Sequence, residues 1–191
     1  SSIRTVALVG QGGSGKTTLA EALLLASGGI KEAGTVERGT TVGDFDPLEK
    51  SWQHSLRASV LHLDTQDTRV HLIDTPGFPD FIGQAIGALD AVETAAVVVS
   101  AQSGIEMIAS RMMDWAAKRR LCRLVIVNKI DAENVDLGNL GKGSPVVTAD
   151  DNTTVINGQL QLVKQQVLDV TCDGVADGAY TVANLAANPG A

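Results

Sequence analysis

Gly10-Gln11-Gly12-Gly13-Ser14-Gly15-Lys16-Thr17-Thr18 follows the apolar run Ile3 to Val9 and opens a stretch with helical periodicity. A strand, a glycine-rich turn and a helix in that order form the pattern G-x-x-x-x-G-K-[ST], a phosphate loop. Glycine is needed there because backbone N–H groups must come close to phosphate oxygens. Lys16 to Ala26 sets Leu19, Leu23 and Leu24 on one helical face, and Gly28 and Gly29 stop the helix. The loop therefore ends on a helix N-terminus, whose dipole favours an anion. The expected contacts are the amides of Gln11, Gly12, Gly13, Ser14, Gly15, Thr17 and Thr18 with phosphate, the Lys16 ammonium with the terminal phosphates, and the Thr17 hydroxyl with Mg²⁺. The bland alternative is a turn that binds nothing, and such a turn has no use for an unpaired ammonium at Lys16.

Working outward, Ile30 to Ser51 carries Gly34, Gly39, Gly43 and Pro47 with no sustained period, and reads as a long loop set to fold over a nucleotide. Ser55 to Asp64 alternates apolar and polar residues, Thr65-Gln66-Asp67 supplies a turn, and Arg69 to Ile73 continues as strand, which predicts a β-hairpin. That hairpin ends at Asp74-Thr75-Pro76-Gly77, 58 residues after Lys16. A carboxylate at a strand end beside a phosphate loop suits Mg²⁺, so Asp74 is a metal candidate. Gly77 can bring its N–H to a γ-phosphate and hinge when that phosphate leaves; with Lys16 it forms the catalytic pair.

Further along, Asp80 to Glu93 reads as a helix with Phe81, Ile82, Ala85, Ile86 and Leu89 inward, Ala95 to Val99 as a strand, Ile105 to Arg120 as a helix, and Leu124 to Val127 as a strand. Strands alternating with helices predict an α/β, three-layer P-loop NTPase fold, its sheet mostly parallel with one antiparallel strand from the hairpin. The last strand delivers Asn128-Lys129-Ile130-Asp131. A carboxylate at Asp131 can accept from N1–H and the exocyclic amine of guanine, a pair that adenine does not present. Lys129 can lie over the base and Asn128 can tie the motif back to the phosphate loop, so the three motifs in order predict GTP rather than ATP.

Composition bounds the reading. The chain has 191 residues, 44% hydrophobic, enough for one ordinary domain. A net charge of −7 argues against binding DNA through a basic surface. Cys122 and Cys172 are too few for a disulfide framework, which predicts reduced thiols. With no signal-peptide order at the N-terminus and no apolar stretch long enough to span a bilayer, the expectation is a cytoplasmic protein without a membrane partner.

Residues 1–135 resemble the GTPase domain of translational elongation factor G, most of all its elongation-factor-G-like paralogues. The stretches that carry the resemblance are 10–24, Gly39-Thr-Thr-Val-Gly-Asp-Phe-Asp-Pro47, Ile73-Asp-Thr-Pro-Gly-Phe-Pro-Asp-Phe81 and Val127-Asn-Lys-Ile-Asp131. The resemblance implies a ribosome-associated, Mg²⁺-dependent GTPase that binds GTP and GDP. It also implies that Ile30 to Ser55 is switch I and that Gly77 begins switch II. A switch I threonine of the family ligates Mg²⁺, and Ser55 aligns with it, although Thr40 and Thr41 lie in the same loop. Gly13 replaces a common phosphate-loop aspartate. Phe78 stands where the family usually carries the histidine that orients the attacking water, which predicts slow hydrolysis.

Beyond residue 135 the style changes. From Asp136 to Ala191 there is no Arg or Glu, only Lys142 and Lys164 against six Asp. Gly138, Gly141, Gly143 and Pro145 break the helix that the family has there. Val146–Thr148, Thr153–Ile156, an Asn157-Gly158 turn and Gln159–Leu162 suggest a β-leaning appendage or tail, with a helix over Gln159–Val170 as the alternative. Thr148-Ala149 is the nearest candidate for the Ser-Ala pair of a guanine-base loop. Two rivals accompany the GTPase reading: a GDP/GTP-sensing module without turnover, supported by Phe78, and an inactive fragment, supported by the composition break.

Overall fold

The computed structural model describes residues 2–65, 68–130, 132 and 153–157. Its elements in chain order are β1 (Ser2–Val9), α1 (Lys16–Ala26), α2 (Pro47–Trp52), β2 (Ser59–Thr65), β3 (Thr68–Asp74), a 3₁₀ turn (Pro79–Phe81), α3 (Ile82–Leu89), β4 (Thr94–Ser100), α4 (Met107–Lys118), β5 (Cys122–Asn128) and β6 (Thr153–Asn157). They make one sheet in the order β2-β3-β1-β4-β5-β6, in which only β2 and β3 pair antiparallel. This is the predicted three-layer α/β architecture.

Alternation along the strands sorts the core into two faces. Ala7, Val9, Val97, Val99, Val125 and Val127 face α3 and α4, where Leu89, Ala109 and Met112 are fully buried. Leu8, Ala96, Val98 and Ile126 face the other way and meet Ala20 and Leu24 of α1 together with Leu61, Leu63 and Leu72 of the hairpin. The face that α1 buries differs from the one expected. Leu24 is buried, Leu19 half-buried and Leu23 exposed. Lys16 must point into the phosphate loop, and residues at i+4 stack above it, so Lys16, Ala20 and Leu24 set the inward stripe.

Three other expectations shift. The loop Ile30 to Ser51 contains α2, started by Asp46: its side chain accepts from Leu48 N at 2.9 Å while Glu49 Oε2 accepts from Asp46 N at 3.3 Å, with Pro47 at the first helical position. Strand β2 begins at Ser59 rather than Ser55, because the amides of Leu56 and Arg57 donate to Glu49 Oε1 at 2.9 and 3.1 Å instead of to a neighbouring strand. Helix α3 is shorter than Asp80 to Glu93: it ends in tight turns at Asp90 and Ala91, and Glu93 N already donates to Thr5 O at the start of β4. The expectation of reduced thiols concerns Cys122 and Cys172, and Cys172 falls outside the described residues.

Strand β6 runs parallel to β5, with Val125 opposite Val155, so Thr153–Asn157 joins the main sheet. Of the predicted Asn157-Gly158 turn, Asn157 ends β6 and Gly158 lies outside the described residues, as do the strands Val146–Thr148 and Gln159–Leu162, the alternative helix, Thr148-Ala149 and the Gln66-Asp67 turn. Among the described residues no helix is long and apolar enough to cross a membrane.

Two buried carboxylates hold the segment between α1 and β2. Glu21 in α1 accepts from Gly34 N at 2.8 Å and Val42 N at 2.6 Å. Glu49 ties the end of the segment to its own helix start. Glu21→Ala leaves two amides without their charged acceptor, and should lower stability in urea titration by roughly 2 kcal/mol. Amide exchange at Gly34 and Val42 should quicken, while that of β1 and β4 stays slow.

Candidate functional site

The parallel pairing of β1 with β3 sets Leu8 opposite Asp74, so the strand that feeds the phosphate loop and the strand that ends in Asp74 deliver their C-terminal ends side by side. Between them the chain turns at Gly15, where φ is +92° and a Cβ would collide with the Asn128 side-chain amide; only glycine meets both demands. Helix α1 starts at Lys16 with no side-chain cap, which leaves its first N–H groups open to an anion.

Lys16 is buried, with Nζ donating to the carbonyls of Gln11 at 2.8 Å and Gly10 at 3.2 Å. Burial pushes its ammonium down to about 8, with Asp74 opposing. Thr17 Oγ1 donates to Asp74 Oδ2 at 2.7 Å and lies 3.3 Å from Ser55 Oγ, which in turn donates to Asp44 Oδ1 at 2.7 Å. Burial raises Asp74 to about 6, against the Thr17 hydrogen bond and the Lys16 charge. Burial also raises Asp44.

All three predicted metal residues, Thr17, Ser55 and Asp74, are thus in one cluster. Asp74 Oδ1 is buried without a hydrogen-bond partner. An all-oxygen set of two hydroxyls and a carboxylate with an unused lone pair suits a small hard cation that keeps other ligands from water or phosphate. No group of three or more His, Cys, Asp or Glu among the described residues could hold a metal by itself.

A cavity of ≈ 260 Å³ opens over the loop, lined by Gly12, Gly13, Gly15, Lys16, Thr17, Thr18, Ser55, Gly77 and Lys129 among the predicted residues. Gln11 and Ser14 lie buried beneath it: Gln11 Nε2 donates to Gly104 O at 3.0 Å, and Ser14 O accepts from Asn128 Nδ2 at 3.0 Å. The tie from Asn128 to the phosphate loop is therefore present. Gly77 packs so closely on the loop that a Cβ would sit 2.5 Å from Gln11 C, Gly12 N and Lys16 Nζ. Lys129 sits at the end of β5 with φ +58°, and Asp131 is outside the described residues.

Sequence reasoning gave no task to Asp44, Glu21, Glu49 or His54, which all bear on this site. The Asp46-Pro47-Leu48-Glu49 capping pattern was a usable signal for α2 and hence for Glu49. Asp44 and Glu21 had none, because their partners are distant backbone amides and a hydroxyl brought in by folding.

In comparisons with known proteins, residues 1–171 match the family described as the elongation factor Tu GTP binding domain. An elongation factor G-like protein of Mycobacterium tuberculosis is 38% identical over 129 residues, covering 68% of this chain and 18% of that protein. An elongation factor G-like protein of Synechocystis is 31% identical over 179 residues, 94% of this chain and 26% of that protein. A crystal structure of a Thermus thermophilus protein superposes with a TM-score of 0.70 at 44% identity, over 73% of this chain and 21% of that one. The chain thus spans about a fifth to a quarter of the relatives' lengths.

The raised Asp74 carboxyl makes a pH prediction for the protein without nucleotide. The folded state holds this proton up to about pH 6, whereas an unfolded carboxyl releases it near its ordinary value of 3.8, so between them the folded state binds more protons. The benefit of holding that proton is present at acid pH and lost as pH rises through about 6. Urea titrations of the wild type and of non-titrating Asp74→Asn should therefore show wild-type stability, relative to the variant, falling from about pH 4 to about pH 6 and flat above pH 7.

Proposed function

Because this chain belongs to the elongation factor Tu GTP-binding domain family, we propose that it binds GTP and GDP with Mg²⁺ and hydrolyses GTP slowly, as the switch domain of an elongation-factor-G-like translational GTPase. The observation that carries the proposal is the convergence of Thr17, Ser55 and Asp74 beside the buried Lys16. Thr17, Ser55 and Asp74 would hold Mg²⁺, which neutralises charge on the phosphates when bound. The amides of residues 11–18 cradle the phosphates. Lys16 exchanges its two carbonyl partners for terminal phosphate oxygens, and Gly77 offers its N–H to the γ-phosphate. Asn128 holds the base turn to the loop, Lys129 lies over the guanine, and Asp131 accepts from its N1–H and amine.

Phe78 supports slow turnover: its partly exposed ring lies over Gly12 at the mouth of the cavity and offers no polar atom from that position. The same residue favours a second reading, a GDP/GTP-sensing module without turnover. The ribosome is the proposed partner, in the cytoplasm.

Fluorescence titration with labelled GDP and GTP tests the site. Binding should depend on Mg²⁺, be displaced by GTP and not by ATP, and weaken between about tenfold and a hundredfold in Lys16→Ala. Phe78→His should raise single-turnover hydrolysis on the order of tenfold or more. Binding without turnover in either protein would favour the sensor.

A further inference from the structure

His54, immediately before Ser55, has no task in the function proposed for the domain, yet it lines the same cavity as Lys16 and Thr17. Its imidazole packs tilted against Phe78 with 4.5 Å between ring centroids, and Phe78 in turn covers Gly12 of the phosphate loop. Trp52 stands against the imidazole as well, at 5.8 Å. The ring is thus held at the phosphate end of the cavity by aromatic neighbours rather than by an ion pair.

One hydrogen bond sets its chemistry. His54 Nδ1 lies 2.7 Å from the carbonyl oxygen of Trp52. A carbonyl can only accept, so Nδ1 carries the hydrogen, and in the uncharged imidazole the lone pair then sits on Nε2, able to accept from an O–H donor. The other polar groups of this wall are engaged or wrongly charged. Asp44 accepts from Ser55, Gln53 donates to the Glu37 carbonyl at 3.3 Å, and the Thr75 hydroxyl donates to Leu8 O at 2.7 Å. The Glu37 carboxylate would meet the like charge of a triphosphate.

We propose that His54 orients the water that attacks the terminal phosphate of bound GTP, the task for which Phe78 has no polar atom. This rests on the guanine-nucleotide function proposed for the domain. Nε2 accepts a hydrogen bond from the water. The water oxygen then bonds to the γ-phosphorus as the bond from that phosphorus to the bridging oxygen breaks. The bridging oxygen keeps the electron pair and leaves as GDP, and the proton shed by the water ends on the inorganic phosphate. His54 is left in its starting state, so a group that only accepts a hydrogen bond can do the same work.

The test is single-turnover GTP hydrolysis with Mg²⁺ by the whole chain, as wild type, His54→Ala and His54→Gln, each with its dissociation constant for labelled GTP. His54→Ala should slow hydrolysis about tenfold or more, with the dissociation constant within about twofold of wild type. His54→Gln, which can accept from water, should recover most of the rate. An unchanged rate in His54→Ala overturns the proposal, as does equal slowness of the Ala and Gln variants, which would make the ring's packing on Phe78 the relevant property. Binding of GTP with no hydrolysis by the wild type also overturns it. Failure of the wild type to bind any guanine nucleotide would instead remove the guanine site itself, so the two failures are distinguishable.

Discussion

An ammonium and a carboxylate are buried together beneath one loop, and most of the site follows from that. Lys16 and Asp74 are each almost fully removed from water. Neither has a tight ion-pair contact with the other; each is held by neutral dipoles, Lys16 by two carbonyls and Asp74 by the Thr17 hydroxyl. Burial costs both groups part of their charged character, which is why Lys16 is driven down and Asp74 up. A hydrophobic core alone would not arrange this. The arrangement is stable because β1 and β3 pair in a register that sets Leu8 beside Asp74, and because Lys16 begins a helix whose next inward residues, Ala20 and Leu24, are anchored in the core. The packing below holds two unfavourable charges in place above, where a polyanion and a cation would relieve both.

The segment from Gly34 to Ser59 depends on the same economy of polar groups. Thr41, Asp44, Glu49 and Ser55 are buried, while Val42, Phe45, Leu48 and Trp52 are exposed, Phe45 to 71%. That inverts the usual sorting of a surface segment. The inversion has a cause in the bonds: Glu21 takes the amides of Gly34 and Val42, Glu49 takes those of Leu56 and Arg57, Ser59 donates to Gly43 O at 2.7 Å, and Ser55 spans Asp44 and Thr17. Hydrogen bonds to charged acceptors, rather than apolar burial, decide its path.

Legibility in the sequence divides along the same line. Where local pattern and burial agree, residues announced their structure. Ala95 to Val99 and Leu124 to Val127 are buried strands, the alternation after Ser55 is a hairpin, and the Gly10 to Thr18 loop lies between β1 and α1. Of the site, Thr17, Ser55 and Asp74 were legible as a set only because family resemblance supplied Ser55; no periodicity points to it. Elements governed by side chains acting at a distance were not legible. Leu23 was assigned inward because leucine is apolar, yet the direction of Lys16 turned the helix by one position. Ser55 to Arg57 was assigned to a strand, yet a glutamate several residues earlier takes the amides. Helix α3 lost its last turn to the pull of Thr5 on Glu93.

A segment whose order comes from charged hydrogen bonds responds to charge. Asp74, Thr17, Ser55 and Asp44 form a chain of hydroxyls and carboxylates that ends at the unpartnered Asp74 Oδ1, and a cation placed there would meet oxygen atoms already tied to this segment. Thr17 gives its hydrogen to Asp74 and keeps its lone pairs, and it lies 3.3 Å from Ser55, so the phosphate loop and the segment from Asp44 to Ser55 meet through a few oxygen atoms. Gly77 closes the other side of the cavity by the same closeness, with Lys16 Nζ 2.5 Å from where its Cβ would be. Phe78 in turn packs against the His54 ring, with 4.5 Å between ring centroids. The two sides of the cavity are therefore joined at the bottom by the hydrogen bonds of Thr17 and Ser55 and at the mouth by the Phe78–His54 pair, both above the core rather than within it.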